Sequence, residues 1–366
     1  MIRHALGLVA VALCMAAPSP AAPESRVVRD IMGREVSIPA EVRRLVAIGP
    51  GALRLVVYLG ATDRVVGIED MERRMVRDPW VRPYASTLDE RFFDLPVVAP
   101  GGPGKLPDFE RVMMVRPDIL VAVGIDAAQV DNVQAKTGVP VVCLSYGALG
   151  EWREEAQQSL TLLGNLLGRQ EQAKRINAYV EALQKELKTR TVSVDRNNAP
   201  SVYFGGISFK GAHGLTSTQS RYSPGEMVAA HAPVDGLERT GHLFVDEEQI
   251  LVWDPDVIFV DMGSRAILAR DFEKRRGFYR LLGAVKAGRV YSLLPYNYYN
   301  TNMELALLNA CFVGKTLYPE PFADLDLSAK AAEIFAVFLG RKIDDEPPAY
   351  RRLAFPENGP IPWGAP

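Results

Sequence analysis

The feature that most restricts the fold is a pattern that occurs twice, as FERVMMVRPDIL at residues 109–120 and as EEQILVWDPDVI at residues 247–258. In each copy a glutamate, Glu110 or Glu248, is followed seven residues later by a Pro-Asp pair and then by an apolar run. A short helix that ends before proline and leads into a buried strand accounts for this pattern. One helix–strand unit is therefore repeated in the two halves of the chain.

Strand and helix patterns alternate around both copies of this unit. In the first half the strand pattern RRLVAIG runs into the helical ALRLVVYLGA and then into the strand pattern RVVGIE, and RPDILVAVG is followed by a helix that Gly138 ends and by VPVVCLSY. The alternation restarts after residue 200 with SVYFGG, DPDVIFVD and RVYSLLP. This order predicts an α/β protein with two Rossmann-like β/α lobes, whose ligand sites lie at the carboxyl ends of parallel strands.

The region between the two halves, residues 151–190, contains no proline and repeats apolar residues at helical spacing. Its part from Gln170 to Arg190 would be about 30 Å long at about 1.5 Å per residue. We therefore predict an N-terminal lobe at residues 23–150, a connecting helical backbone at 151–190 and a C-terminal lobe at 191–343. Residues 344–366 are rich in proline and are expected to form a loosely ordered tail.

Residues 1–22 have the features of a cleavable export signal: an early arginine, a short apolar run and small residues near Ala21 and Ala22. The run is too short and too interrupted by proline to span a membrane. Lipidation at Cys14 is the alternative, although the preceding Leu13 is bulky for that modification. We expect a periplasmic protein. Its net charge of −2 gives no reason to expect a nucleic-acid partner.

The order of these segments resembles that of the class III substrate-binding proteins of ABC importers, a periplasmic family that serves ferric siderophores, cobalamin and haem. The local matches are RRLVAIGPGALRLVVYLGATDRVVGI and the two helix–strand units. The resemblance implies a ligand cleft between the lobes and a pair of permease subunits whose arginine-containing pockets receive Glu110 and Glu248. One glutamate per lobe suits a partner with twofold symmetry.

Two loops are the main candidates for ligand binding: the glycine-rich segment 206–226, expected to be irregular, and PYNYYNTN at residues 295–302. The spacing of the histidines predicts no metal site. The sequence therefore does not identify side chains that would bind the metal of a cargo directly. The mixture of cations and tyrosines favours an anionic ligand. The candidate ligand-binding residues are Lys210, His213, Ser217, Thr218, Arg221, Tyr222, Arg265, Tyr296, Tyr298, Tyr299 and Asn300.

We interpret the chain as a protein that captures a metal chelate and delivers it to an ABC permease homodimer. A ferric siderophore or a similar iron complex is the first choice of cargo, cobalamin or another corrinoid the second, haem the third and a molybdate-type oxyanion the fourth. No resident cofactor is expected. The alternative from another class is an exported enzyme of glycosyltransferase-like architecture. The sequence contains neither a G-x-S-x-G elbow nor an HExxH motif, and GGPGKLP at 101–107 lacks P-loop spacing, so we expect no enzyme.

Overall fold

The computed structural model describes residues 25–147, 154–195, 198–341 and 349–356. The predicted export signal lies outside these residues. The chain begins with a hairpin of two antiparallel strands, β1 (Ser25–Arg29) and β2 (Glu35–Pro39). Gly33 has a φ of 79° in the turn between them, a conformation that glycine adopts without strain.

The N-terminal lobe contains a sheet of five parallel strands within the described residues, with helices and short 3₁₀ turns between the strands. After β3 the chain adds β4 and β5 on one side of that strand, and later adds β6 and β7 on its other side. The strand order is therefore β5-β4-β3-β6-β7. The crevice of such a sheet lies at the carboxyl ends of β3 and β6. The elements are β3 (Leu45–Ile48), α1 (Ala52–Tyr58), β4 (Val65–Glu69), α2 (Asp70–Arg74), α3 (Pro83–Ser86), β5 (Val97–Ala99), α4 (Phe109–Val115), β6 (Ile119–Val123), α5 (Ala127–Thr137) and β7 (Val141–Leu144).

Two helices follow, α6 (Glu154–Leu167) and α7 (Gln170–Arg190), and they form the predicted connection between the lobes. The bounds of α7 are those expected from its uninterrupted helical spacing. One hydrophobic core continues from Val36 in β2 through both helices to Phe259 in the C-terminal lobe. Among the described residues, no helix is both long enough and apolar enough to cross a membrane.

The C-terminal lobe contains a sheet of three parallel strands, in the order β12-β11-β8, and a separate antiparallel pair, β9 and β10. Its last two helices pack against each other and against α7. The elements are β8 (Val202–Gly205), β9 (Ser217–Ser220), α8 (Ser223–Glu226), β10 (Gly241–Phe244), α9 (Glu247–Trp253), β11 (Val257–Asp261), α10 (Arg265–Lys274), α11 (Arg276–Leu281), α12 (Gly283–Lys286), β12 (Val290–Leu293), α13 (Met303–Leu317) and α14 (Leu327–Leu339).

The repeated sequence pattern forms the same structure in both lobes. Helices α4 and α9 each have seven residues, and each ends at a residue with left-handed backbone, Arg116 (φ 44°) or Asp254 (φ 35°), directly before proline. Asp108 caps α4 by accepting a hydrogen bond from the backbone N–H of Arg111 at 3.1 Å. The corresponding Asp246 makes no such bond to α9, so this cap is present in one of the two copies.

The aspartate of each Pro-Asp pair has a structural role that the sequence did not reveal. Asp118 Oδ2 accepts hydrogen bonds from the backbone N–H groups of Arg43 and Arg44, at 2.7 and 2.8 Å. Asp256 Oδ2 accepts from the N–H and the hydroxyl of Ser201, at 2.8 and 2.9 Å. Each aspartate thus holds the chain directly before the neighbouring strand, β3 or β8.

Two expectations about irregular segments are wrong. Residues 206–226 are not one loop, because they include β9 and α8. Residues 349–356 are not a loose tail, because the N–H of Leu353 donates to Val290 O at 2.7 Å and the N–H of Tyr350 donates to Ser292 O at 3.1 Å. This segment therefore covers the edge of β12. The rest of the proline-rich tail lies outside the described residues.

Candidate functional site

The crevice of the N-terminal lobe is built around Gly49 and Glu69. Gly49 has a φ of 87°, and a Cβ there would lie 1.9 Å from the carbonyl oxygen of Val123, so only glycine fits. Its N–H donates to Glu69 Oε1 at 2.8 Å. The Gly-Pro-Gly sequence at 49–51 thus allows β3 and β6 to approach and fixes a buried carboxyl group at the end of β4.

The loop at residues 295–302 connects the two lobes across the cleft. On its own lobe, Asn297 Nδ2 donates to Ser208 O at 2.5 Å. On the opposite lobe, Tyr299 donates its hydroxyl proton to Glu69 Oε2 at 2.5 Å, and Asn300 Nδ2 donates to Pro50 O at 3.0 Å. The carboxyl ends of the two sheets therefore face each other, and this loop closes one side of the space between them.

Arg54 of the N-terminal lobe binds the backbone of the same loop. Its guanidinium is completely buried and donates to Thr301 O at 2.8 Å and to both Tyr298 O and Tyr299 O at 3.0 Å. It also lies over the ring of Tyr84, 4.8 Å from the centroid. The prediction from sequence missed this residue. The signal was present, because Arg54 is the one charged residue in the apolar helix ALRLVVYLGA.

Glu304 is the acidic partner of this buried region. It lies at the start of α13, completely buried, and Tyr58 of the opposite lobe donates its hydroxyl proton to Glu304 Oε2. Burial raises the pKa of Glu304, and the positive charge of Arg54 opposes that rise. The lobes are thus joined by buried polar contacts as well as by the hydrophobic core.

Each lobe places one buried carboxyl group at the carboxyl end of a strand that faces the cleft. These groups are Glu69, the last residue of β4, and Asp261, the last residue of β11, and both are about 1% exposed. Asp261 Oδ1 accepts from the N–H of Gly263 at 2.7 Å, while its Oδ2 has no hydrogen-bond partner among the described residues. Burial raises the pKa of both carboxyls to about 7.

These two carboxyls should make the free energy of unfolding depend on pH. The folded chain keeps its protons on Glu69 and Asp261 up to about pH 7, whereas the unfolded chain releases them near pH 4. Between these values the folded chain binds more protons, so stability should fall as pH rises and level off above pH 7. Each group contributes at most about 1.4 kcal/mol per pH unit.

Urea unfolding at several pH values between 5 and 8 measures this dependence. Glu69→Gln and Asp261→Asn should each reduce the decline, and the double variant should reduce it further, while other buried carboxyls with a raised pKa, Glu72 and Glu304, account for a remainder. Asp63→Asn, at an exposed position, serves as the control. A wild-type slope in the double variant would contradict the assignment.

Beside the cleft, the C-terminal lobe presents a group of rings that we call the aromatic patch: Phe209, His213, His242 and Phe244. The rings of Phe209 and His242 stack with centroids 4.4 Å apart, and Phe244 meets His242 edge-on at 5.0 Å. Burial, together with the nearby His213, lowers the pKa of His242. Phe209 and Phe244 are exposed. The backbone N–H of His213 donates to Ser264 Oγ at 3.0 Å, which connects the patch to the turn between β11 and α10.

Several candidate ligand residues lie near this patch or in the loop that crosses the cleft. Lys210 is exposed, with its ammonium nitrogen 5.4 Å from the centroid of the Phe209 ring. Arg265 is exposed at the start of α10. Tyr298, Tyr299 and Asn300 are half-buried in the crossing loop. Histidines that are distant in sequence, His213 and His242, come within 5.9 Å between ring centroids, which the sequence did not predict.

Four of the other candidates do not offer their side chains to a ligand in this structure. Ser217, Thr218, Tyr222 and Tyr296 are buried. Ser217 and Thr218 donate to backbone oxygens 2.7 Å away, and the ring of Tyr222 stacks on Phe204. Arg221 differs, because only its backbone N–H is engaged, donating to Asp235 at 2.6 Å, while its side chain is exposed.

Glu110 and Glu248 are exposed in the first turns of α4 and α9. A helix that leads into a parallel strand begins at the carboxyl edge of its sheet. Both glutamates therefore lie on the side of their lobes where the cleft opens. Within the described residues, no group of three or more histidine, cysteine or acidic side chains could hold a metal ion.

A sequence profile described as "Periplasmic binding protein" matches residues 45–296, which is more than half of the chain. The chain belongs to the periplasmic binding protein family. It is the substrate-binding component of an ABC transporter, as the sequence predicts, and its family is not one of enzymes. The molybdate-binding protein MolA of Haemophilus influenzae is 22% identical over 348 residues, which cover 90% of this chain and 95% of the relative.

Solved structures have the same fold. MolA bound to molybdate covers 87% of this chain and 99% of its own, with a TM-score of 0.68 and 19% identity. A TroA-like periplasmic binding protein FepB from Veillonella parvula covers 87% and 97%, with a TM-score of 0.64 and 19% identity. Helicobacter pylori CeuE with bound Ni(II) covers 87% and 97%, with a TM-score of 0.62 and 16% identity. The two-lobed class III architecture expected from the sequence is confirmed.

Proposed function

We propose that this periplasmic binding protein captures an anionic iron chelate of the siderophore class between its lobes. The observation that carries the proposal is the aromatic patch beside Lys210. The exposed rings of Phe209 and Phe244 offer flat apolar contact, and the ammonium group of Lys210 offers a positive charge beside it. A planar, negatively charged arm of a chelate would match both features.

Tyrosine supports this cargo less than the sequence suggested. Tyr296 is buried, and the hydroxyl of Tyr299 is bonded to Glu69. Direct ligation of Fe(III) by these phenolates would require those contacts to break. We therefore propose that the protein recognises an already complete chelate through its surface, with the metal held by the chelator.

A compact oxyanion such as molybdate is the second candidate. The similarity to MolA over 90% of this chain favours it. The loop at 295–302 also limits the space on one side of the cleft, because it is bonded to both lobes. Lys210 and Arg265, both exposed, could attract either kind of anion.

Delivery to the permease would use the two exposed glutamates. Glu110 and Glu248 belong to equivalent helices of the two lobes and lie on the side where the cleft opens. Two equivalent carboxylates match a permease made of two equivalent subunits with cationic pockets. In this proposal the cargo and the permease contact different residues.

Fluorescence titration of the purified protein with a ferric tricatecholate siderophore, and separately with sodium molybdate, tests the cargo. We expect saturable binding of the ferric complex. Lys210→Ala and Phe244→Ala should each weaken it by about tenfold, because one removes a charge-assisted contact and the other a flat apolar one. Lys274→Ala, exposed at the far end of α10, should bind as the wild type does.

The outcomes separate the candidates. Saturable binding of molybdate without binding of the ferric complex would support the second candidate. Binding of cyanocobalamin or haemin in place of both would overturn the proposed class of cargo. Native mass spectrometry of protein purified from periplasm adds an independent reading, because a retained cargo is identified by its mass and its absorption spectrum.

A further inference from the structure

Two exposed apolar side chains occupy the same position in the repeated helix–strand unit. Met114 on α4 is 79% exposed, and Val252 on α9 is 78% exposed. Each lies four residues after a glutamate, Glu110 or Glu248. Residues four apart lie on one face of a helix, with Cβ atoms roughly 5–6 Å apart. Each lobe therefore presents a carboxylate and an apolar side chain next to each other.

The opposite face of each helix is buried, so these positions are distinct from the core. Val112 of α4 and Ile250 of α9 are equivalent and completely buried. Single exposed apolar residues are common and need no explanation. Here, however, two different residues, methionine and valine, give the same property at the same place in both lobes. The shared property is an exposed apolar surface one turn after the glutamate.

The charges beside these side chains are available to a partner. Within the described residues, neither Glu110 nor Glu248 forms an ion pair or a side-chain hydrogen bond. Neighbouring acids do: Glu247 pairs with Arg275, and Asp108 pairs with Arg111 at 3.3 Å. At each helix, this neighbouring acid is paired with an arginine, whereas among the described residues the glutamate next to the exposed apolar side chain has no cationic partner.

We propose that Glu110 with Met114, and Glu248 with Val252, form two equivalent docking patches for the two subunits of the membrane permease. Each subunit would offer a recess that combines a cationic side chain with an apolar wall. This inference rests on the proposed delivery through Glu110 and Glu248. A second copy of this chain fits less well, because docking patch against docking patch would bring unpaired carboxylates together.

The test is the affinity of the protein for its permease–ATPase complex in lipid nanodiscs, measured by biolayer interferometry. Met114→Gln with Val252→Thr keeps the shapes of the side chains but makes them polar, and should weaken binding by about tenfold or more. The two single variants should have similar effects, since the patches are equivalent. The loss should persist at high salt, whereas an effect of charge alone would be screened.

Matched controls come from apolar residues outside the docking patches. Val192, in the turn after α7, is 78% exposed, and Met32 in the hairpin turn is 44% exposed. Val192→Thr with Met32→Gln should leave the affinity unchanged.

If Met114→Gln with Val252→Thr binds like the wild type while Glu110→Lys with Glu248→Lys does not bind, the apolar part of the inference is wrong and the docking glutamates stand. If both double variants bind normally, the proposed delivery surface itself is wrong. Sedimentation analysis tests whether the patches bind a second copy of this chain instead. If the wild type forms a dimer and Met114→Gln with Val252→Thr does not, the docking patches serve self-association and the inference is overturned.

Discussion

Arg54→Met should lower the free energy of unfolding by about 3–5 kcal/mol, because it removes one member of a completely buried polar cluster. The backbone oxygens of Tyr298, Tyr299 and Thr301 would each lose the hydrogen bond from Arg54, although Tyr298 O would keep the one from Asn302 Nδ2 at 3.2 Å. Glu304 would lose the positive charge that opposes the effect of its burial. Urea unfolding monitored by tryptophan fluorescence measures the change.

The control is Arg43→Met, since Arg43 forms an exposed ion pair with Glu41 at 2.6 Å. Such exposed pairs contribute little to stability, because water and salt screen the two charges. Combining Arg54→Met with Glu304→Gln should cost less than the sum of the single changes, because the second change removes the charge that the first one leaves unpaired. An effect of Arg54→Met as small as that of Arg43→Met would show that this cluster does not stabilise the contact between the lobes.

Charge reversal at both glutamates, Glu110→Lys with Glu248→Lys, should weaken binding to the permease by roughly 100-fold or more. Each substitution replaces an attraction to a cationic pocket by a repulsion. Stimulation of the permease-linked ATPase by the loaded protein should fall to its basal rate. The affinity for cargo should stay within about threefold of the wild type, because neither glutamate takes part in the bonds that close the cleft.

Glu181→Lys with Glu273→Lys makes the same change in charge elsewhere. Glu181 is exposed on the connecting helix α7, and Glu273 is exposed near the end of α10 that is farther from the cleft. This control should stimulate the ATPase normally. Loss of cargo affinity in the Glu110 and Glu248 variant would instead place those residues in the ligand site.

The parts of the fold that the sequence predicted are those with local signals. All strands of the parallel sheets except the three-residue β5 were predicted from short apolar runs, and α7 was predicted from regular helical spacing without proline. The antiparallel pair was missed because β9, Ser-Thr-Gln-Ser, has no apolar residue. Its burial is made possible by hydrogen bonds from Ser217 and Thr218 to backbone oxygens. A buried strand made of polar residues cannot be recognised from a hydrophobic pattern in the sequence.

The candidate site was predicted as a region rather than as a set of side chains. The crossing loop at 295–302 does lie between the lobes, but the sequence could not distinguish Tyr296, which is buried, from Tyr298, which is half-exposed. The pairing of β9 with β10 brings His242 and Phe244 next to the loop after β8. Contacts between distant segments of this kind determine the aromatic patch, so one sequence read by local patterns did not reveal it.

The contacts between Arg54 and the crossing loop also bear on how the protein melts. Two β/α lobes joined by helices could be expected to unfold in two steps. Here a residue of the first lobe is bonded to residues about 245 positions later in the chain, and the largest cluster of buried hydrophobic residues extends through both lobes, beside a smaller one within each lobe. Separating the lobes would expose that core and leave the buried charges unpaired. Calorimetry should therefore show one cooperative transition, in which neither lobe persists without the other.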